Sequence, residues 1–484
     1  MTTTASLLLL CLLIPLVGAV LIGIAGRYPN LRETFTFVTA GLLLACVMAL
    51  IDPIMKGDQP VVQLAELMPG LTLSLQPEPL GLLFALLASG LWVVNSLYSV
   101  AYVRANDEAH QTRFFVFFAL SICATLGIAW SGNFLTLFLF YELLTLATWP
   151  LVTHHGDEAA KKSGRIYLGV LMGTSICLLL PALVAIYALT GTTDFALGGI
   201  LEGHVAPSAA LVLLALCMLG IGKAALVPFH AWLPNAMVAP TPVSALLHAV
   251  AVVKAGVFTV VKLMVYILGT GFLAESGITG WLTALAGLTI VFASLVALNA
   301  DNLKRRLAYS TISQLSYVTL SASLLSVVSV TGAVLHIAAH AVGKITLFFA
   351  AGAIYTAAHK TRVSELRGIG RRMPWTMGAF AVGALSMIGL PPTAGFVSKW
   401  YMLSGAMAEG QALAVIVIIL STLLNAAYFL PILYQAFFVA EDPYTTAHGE
   451  APTGMLIALM ATTLLTLAMF FLADWPLALA RLLH

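Results

Sequence analysis

The chain reads as an all-α polytopic membrane protein of about 14 transmembrane helices. Three observations predict this. Of 484 residues, 61% are hydrophobic and only 9% charged, and the mean hydropathy of +1.01 lies far above that of soluble globular domains. Apolar runs long enough to cross roughly 30 Å of hydrocarbon recur along the whole length. Their connections carry Lys and Arg on one side almost exclusively.

The runs begin near residues 5, 33, 79, 113, 133, 164, 209, 242, 276, 304, 329, 374, 411 and 452. The first lacks a basic n-region, since the chain opens MTTTAS, and has no cleavage site, so it is expected to stay as the first span. Residues 57–80 read as an external connection with some alternating character, and 191–208 and 441–451 as surface connections. Prolines interrupt the pattern between the seventh and eighth runs, and the tenth begins polar. No soluble domain or low-complexity linker intervenes, so 1–484 is expected to form one transmembrane domain.

If odd-numbered loops share one side, the other side holds only Lys56 and Arg481. The positive-inside rule then places the odd loops in the cytoplasm and both termini outside. Five lysines remain inside spans: Lys223, Lys254, Lys262, Lys344 and Lys399. Of the 20 acids, only Glu142 falls in the middle of a span.

Several classes are disfavoured. A net charge of +2 without a basic tail or patch does not suggest nucleic acid. The five cysteines lie in apolar runs without CxxC or Cys/His ligand spacing, which predicts neither disulfides nor an iron–sulfur or zinc site. There is no P-loop, no GxGxxG after a strand and no haem-like pair of histidines. No cofactor or metal is expected, and any energy source must be an ion gradient or another subunit.

The stretch GKAALVPFHAWLPNAMVAPTPVSALLHAVAVVK carries two lysines, two histidines and four prolines where two apolar runs meet. A lysine in mid-membrane costs about 2.5 to 3.5 kcal/mol on insertion scales. Proline in a membrane helix frees carbonyls that only a packed or hydrated interior satisfies. A broken helix beside buried titratable groups is a common way to build an ion site at mid-depth. A second proline break, at 391–392, also lies near a lysine, and such matched breaks point to an inverted repeat.

Glu142 reads as a relay or gating carboxylate facing a lysine of another helix, the plainer alternative being a structural ion pair. Lys223, five residues before Pro228, is the candidate partner; snorkelling to an interface is the alternative. Lys254 follows His248 by six residues, and His248 is either a relay or a packed, hydrogen-bonded group. Lys262, nearer the helix end, reads as snorkelling, and His230 sits beside the break. His336, His340 and Lys344 are spaced i, i+4, i+8 and share one helix stripe. Such histidines could bind metal, but no carboxylate or cysteine accompanies them. Lys399 would end an axis of polar groups, and the polar tenth run, from Tyr309 to Tyr317, could hold waters or bond across helices.

The runs PFHAWLPNAMVAPTPVSALLHA with VKAG, LKRRLAYSTISQLSY, HAVGKITLFF and GLPPTAGFVSK together resemble the proton-translocating antiporter-like membrane subunits. These occur in respiratory complex I, Mrp-type Na⁺/H⁺ antiporters and membrane-bound group 4 hydrogenases. The resemblance spans roughly residues 80–440. It implies 14 helices with two inverted five-helix repeats, helices 4–8 and 9–13, each with one broken helix. By resemblance Glu142 is similar to the family's helix-5 glutamate and Lys223 to its helix-7 lysine. His248 and Lys254 look like the helix-8 pair, His336, His340 and Lys344 like the helix-11 group, and Lys399 like the helix-12 lysine.

The resemblance further implies other membrane subunits as partners, protons and, in the antiporters, Na⁺ as cargo, and a bacterial inner membrane as location. Translocase activity would follow if the host were a complex I-like NADH:quinone oxidoreductase. The APTPVSALLHA and VKAG runs look more like the larger family members, whereas the chain ends soon after its last span; the host complex is left open. Two rivals are a non-translocating scaffold, disfavoured by the buried charges, and a stand-alone cation transporter, disfavoured by the single mid-span acid.

Overall fold

A computed structural model describes residues 2–68, 71–441 and 447–483. The first part comprises α1 (Thr3–Ile24), α2 (Pro29–Ala49), an antiparallel hairpin of β1 (Val62–Met68) and β2 (Leu71–Leu75), α3 (Pro79–Ala105), α4 (Gln111–Ala129) and α5 (Phe134–Val152). Next come α6 (Glu158–Thr190), α7 (Pro207–Gly220), α8 (Thr241–Leu268), α9 (Gly280–Asn299), α10 (Leu303–Ser323) and α11 (Val327–Ala358). Last come α12 (Pro374–Ile388), α13 (Ala394–Ala408), α14 (Ala412–Phe438) and α15 (Thr453–Phe471), followed by a short helix, Asp474–Arg481.

A helix begins within a few residues of every expected start, the widest offset being Glu158 against 164. Among the described residues, 11 helices are long and apolar enough to cross a membrane. α7 and α12 are apolar but shorter, because each stops at a break. α10 has the length but is too polar along its whole course. Within 57–80, expected as a connection with alternating character, β1 and β2 pair antiparallel from Val62↔Leu75 to Met68↔Leu71; residues 69–70 lie outside the described residues.

Side-chain caps fix several starts. Asn133 accepts from the Thr136 amide at 2.8 Å, Asp157 from Ala160 at 2.7 Å and Asn302 from Arg305 at 2.9 Å. The layering follows from apolarity around each helix. The most hydropathic windows of α8 and α11 are wholly buried, whereas those of α1 and α15 are one-third buried. α1, α14 and α15 turn Val20, Leu423 and Leu464 outward, as lipid-facing helices do. α11 packs against α8, α10, α12, α13 and α15 and so forms the centre.

The connections gather on two faces. On one, Arg104 pairs with Glu33 at 2.5 Å, Arg113 donates to the His154 carbonyl, and the connections at Asn302 and Arg362 form an isolated antiparallel bridge. This face carries most of the basic residues. On the other, β2 bridges Ser131, Asn133 bridges Asp194, and Ala196 bonds the Tyr266 carbonyl at the end of α8. This second surface is the hairpin face.

Candidate functional site

α7 ends at Gly220, and Gly222–Ala224 form one tight turn that carries Lys223. Ala225 then adopts φ +56, a left-handed conformation that a non-glycine residue occupies at a cost. The freed backbone is met by side chains: the Trp232 indole donates to the Gly222 carbonyl at 3.0 Å, and the Lys223 amide to the Tyr141 hydroxyl at 3.1 Å. α8 can pass close behind because residue 256 is glycine; a Cβ there would meet the Lys223 carbonyl oxygen at 2.7 Å.

Lys223 is completely buried. Its Nζ donates to the Tyr141 carbonyl at 2.8 Å and the Thr145 hydroxyl at 2.6 Å, and lies 3.2 Å from the centre of the Tyr141 ring. Both acceptors are on α5, one turn apart, beside Glu142. The expected Glu142–Lys223 ion pair is not formed in this conformation. Both Glu142 oxygens are buried without a hydrogen-bond partner, and the lysine is turned to its neighbours. A buried carboxylate without a partner, beside a lysine held only by neutral oxygens, is an energetically costly arrangement.

His248 lies in a wide turn, Leu246–Val250, inside α8; both ring nitrogens are buried and unpartnered, and the ring packs 4.6 Å from Phe348. Such local widening is frequent at functional sites. One turn and a half on, Lys254 Nζ is 2.5 Å from His340 Nδ1 on α11. His340 Nε2 has no partner, and the ring centre is 6.0 Å from that of His336.

Beyond that gap, polar contacts run from His336 to Lys399. His336 bonds Gln314 Oε1 of α10 at 3.0 Å and the Ser398 hydroxyl of α13 at 2.9 Å. Lys344 donates to the Ser310 hydroxyl at 2.7 Å, which lies 2.9 Å from the Tyr428 hydroxyl of α14; Tyr428 donates to Asn425 Oδ1. Asn425 and Gln314 both donate to the Met387 carbonyl at 3.4 Å. Lys399 reaches the same carbonyl at 2.8 Å and that of Ile388 at 3.1 Å. These are last-turn carbonyls of α12, unpaired because the helix ends there, and a helix C-terminus favours a cation. Gly389, at φ +91, lets the lysine stem pass at 2.7 Å from where a Cβ would stand.

The structure thus links His336, Lys344 and Lys399 in one hydrogen-bonded network, sets the Lys254–His340 pair beside it with the His340 ring 6.0 Å from that of His336, and places Glu142 and Lys223 apart from both, at α5 and the first break. His248 stands alone beside α11. His230 is half-buried at the first break, against Phe292 and Tyr309. Lys262 does not snorkel: it is 1% exposed and lies 2.6 Å from Glu78. Sequence reasoning missed Tyr141, Thr145, Ser398, Asn425, Tyr428 and Glu78. Asn425, an amide in the middle of the apolar α14, was detectable by the criterion that singled out Glu142. The hydroxyls carry no such signal, because hydroxyls are common in membrane helices.

Comparison with known proteins places the fold in a family. The family described as NADH:quinone oxidoreductase/Mrp antiporter, TM, matches residues 131–425. NADH-quinone oxidoreductase subunit N of Desulforudis audaxviator is 32% identical over 93% of this chain and 90% of its own length. One Na⁺/H⁺ antiporter subunit of Alkalihalophilus pseudofirmus is 31% identical over 80% of this chain, which spans only 51% of that protein. Hydrogenase-4 component B of Escherichia coli is 28% identical over 83% of the chain and 63% of its own length. In fold the chain is similar to one subunit of the Mrp complex of a Dietzia species, with a TM-score of 0.88 at 23% identity covering 100% and 97% of the two chains. A chain of the membrane-bound sulfane sulfur reductase, an archaeal respiratory membrane complex, gives 0.86 at 25% identity over 98% and 96%. The chain belongs to the transmembrane family shared by NADH:quinone oxidoreductases and Mrp antiporters.

Proposed function

We propose that this chain is a proton-translocating subunit of a larger membrane assembly, either a cation/proton antiporter of the Mrp kind or a complex I-like oxidoreductase. One observation carries the reading: buried lysines and histidines succeed one another among otherwise apolar helices, first the Lys254–His340 pair and then a linked network that runs from His336 and Lys344 to Lys399. An idle scaffold would have no use for lysines that cost about 2.5 to 3.5 kcal/mol each to insert.

In this reading Glu142 and Lys223 are the switch. Approach of the carboxylate favours the ammonium; withdrawal, as in the present conformation, favours release of its proton towards Lys254 and His340. Short water chains and the imidazoles carry it on to Lys344 and Lys399. Moving a charge against 100 mV takes about 2.3 kcal/mol, so this chain supplies a path and a partner supplies the drive. The helices number 14 if α7, α10 and the α12–α13 pair are crossings too, with both termini and the hairpin face outside a bacterial inner membrane.

The test is proton movement in vesicles carrying the whole assembly, with Na⁺ or with NADH as the only drive. Lys223→Ala should abolish movement while the assembly still purifies intact. Na⁺-driven movement without NADH would assign the antiporter, and movement only with NADH the oxidoreductase. Wild-type movement in the variant would sink the reading.

A further inference from the structure

Lys262 and Glu78 have no part in the path above, yet they form the most elaborate charged site on the hairpin face. Lys262 lies on α8, about 12 Å beyond Lys254 at 1.5 Å per residue. Its Nζ is 2.6 Å from Glu78 Oε1 and donates to the Ser131 carbonyl at 2.9 Å, with the Phe195 ring 4.4 Å away. Glu78 Oε1 is off-axis for a true hydrogen bond, so the contact is a pairing of charges more than an aligned bond. The two side chains are 1% and 9% exposed.

They are not sealed, however. Both line a cavity of about 160 Å³ that also includes Gln76 and Tyr266 and whose rim is formed by the exposed Gln59, Leu197 and Leu482. A water needs about 10–15 Å³ of such space and two to four polar partners, so the cavity can hydrate the buried pair from the surface. In the other direction Phe258, midway between Lys254 and Lys262, packs on Phe84 with ring centres 4.9 Å apart and lies 5.4 Å from Lys262 Nζ. The site is open to water on one side and stoppered by aromatic rings on the other.

We propose that the Lys262–Glu78 pair is the gate of a proton port on the hairpin face, joining surface water to the Lys254–His340 pair. This rests on the transport reading above. Glu78 takes a proton from the Lys262 ammonium, leaving a neutral pair, and releases it to cavity water. Lys262 is then recharged by a proton arriving from Lys254 once Phe258 moves aside. Run backwards, the same steps admit a proton.

The experiment uses the intact assembly in vesicles. Leu197→Cys sits on the rim, 60% exposed, and a quaternary-ammonium methanethiosulfonate attached there fixes a cation over the port. Proton movement should fall by about tenfold or more and recover with a reductant, while treated wild type and the unlabelled variant keep full rates. Lys262→Met should be inactive with the assembly intact. A fully labelled Leu197→Cys that transports normally overturns the port, whether or not Lys262→Met assembles. If Lys223→Ala is inactive and labelled Leu197→Cys is active, only the port fails; if Lys223→Ala is active, the transport reading itself fails.

Discussion

At the residue scale, what distinguishes the five buried lysines is the chemistry of their partners. Lys262 alone has a carboxylate within 4.0 Å. Lys223 and Lys399 are held by carbonyls and a hydroxyl, Lys344 by a hydroxyl and Lys254 by an imidazole. A carboxylate partner can itself take the proton of an ammonium, as proposed for Glu78 and Lys262, whereas a lysine held by neutral dipoles must hand its proton to a water or an imidazole. The weakest joint of the network is the Tyr428 hydroxyl, which alone connects Ser310 to Asn425. Tyr428→Phe keeps the ring and removes this joint. The assembly should lose about 1 kcal/mol of stability and proton movement should slow by about tenfold; an unchanged rate in a vesicle assay would mean that protons bypass Asn425 through Gln314. The sequence announces all the lysines, since each interrupts an apolar run. It is silent on Tyr141 and Thr145, because they meet Lys223 from 82 and 78 positions away.

At the element scale, the two breaks solve one problem in different ways. Each exposes helix-end carbonyls in a region without bulk water, where unsatisfied polar groups are expensive. At the second break Lys399 itself covers the carbonyls of α12; at the first, Trp232 does so and Lys223 is left to face α5. Both breaks are legible as proline clusters next to lysines. Less legible is what brings α8 against the first. Gly256 looks like any glycine of a membrane helix, but a Cβ there would meet the backbone of Lys223 and Ala224, which cannot yield. Gly256→Ala should therefore force α8 away from the break. A cost of about 1–3 kcal/mol in thermal unfolding is expected, together with a loss of transport larger than Tyr428→Phe produces. Unaltered transport would show that the α8–break contact does not set the geometry of Lys223.

α10 and the hairpin show opposite limits of sequence reading. The hydroxyls and amide of α10, Ser310 to Ser316, are visible in the sequence and all lie buried, yet they make the helix too polar to satisfy a composition criterion for crossing a membrane. Its polarity is tolerable because α10 is enclosed by other helices and never meets lipid. The hairpin shows only as faint alternation. Its consequence, Glu78 delivered 184 positions away to Lys262, follows from how the connections stack on that face, so a lysine near a helix end read as snorkelling is instead paired.

At the scale of the whole molecule, the two faces differ in charge and in access. The basic face is tied by Arg and Lys contacts such as Arg104–Glu33, and a cavity of about 220 Å³ lies there, lined by Glu108, His155, Lys304 and Lys360. His155, outside the spans, is held above its usual range chiefly by Glu108, so it keeps its proton, and its pairing, on the acid side and loses both as pH rises through the raised value. A histidine beside a cavity can pass a proton on and be recharged from water, which makes it a candidate collector if this face meets the cytoplasm, and the positive-inside bias favours that orientation. The direction of every step from Glu142 to Lys399 depends on it. Leu64→Cys in β1 and Lys161→Cys at the start of α6 are exposed on opposite faces. In right-side-out vesicles a membrane-impermeant maleimide should label Leu64→Cys at once and Lys161→Cys only after lysis. The opposite pattern would place the hairpin in the cytoplasm, turn the Lys262 port into an inlet from the cell interior, and make the basic cavity the outer mouth.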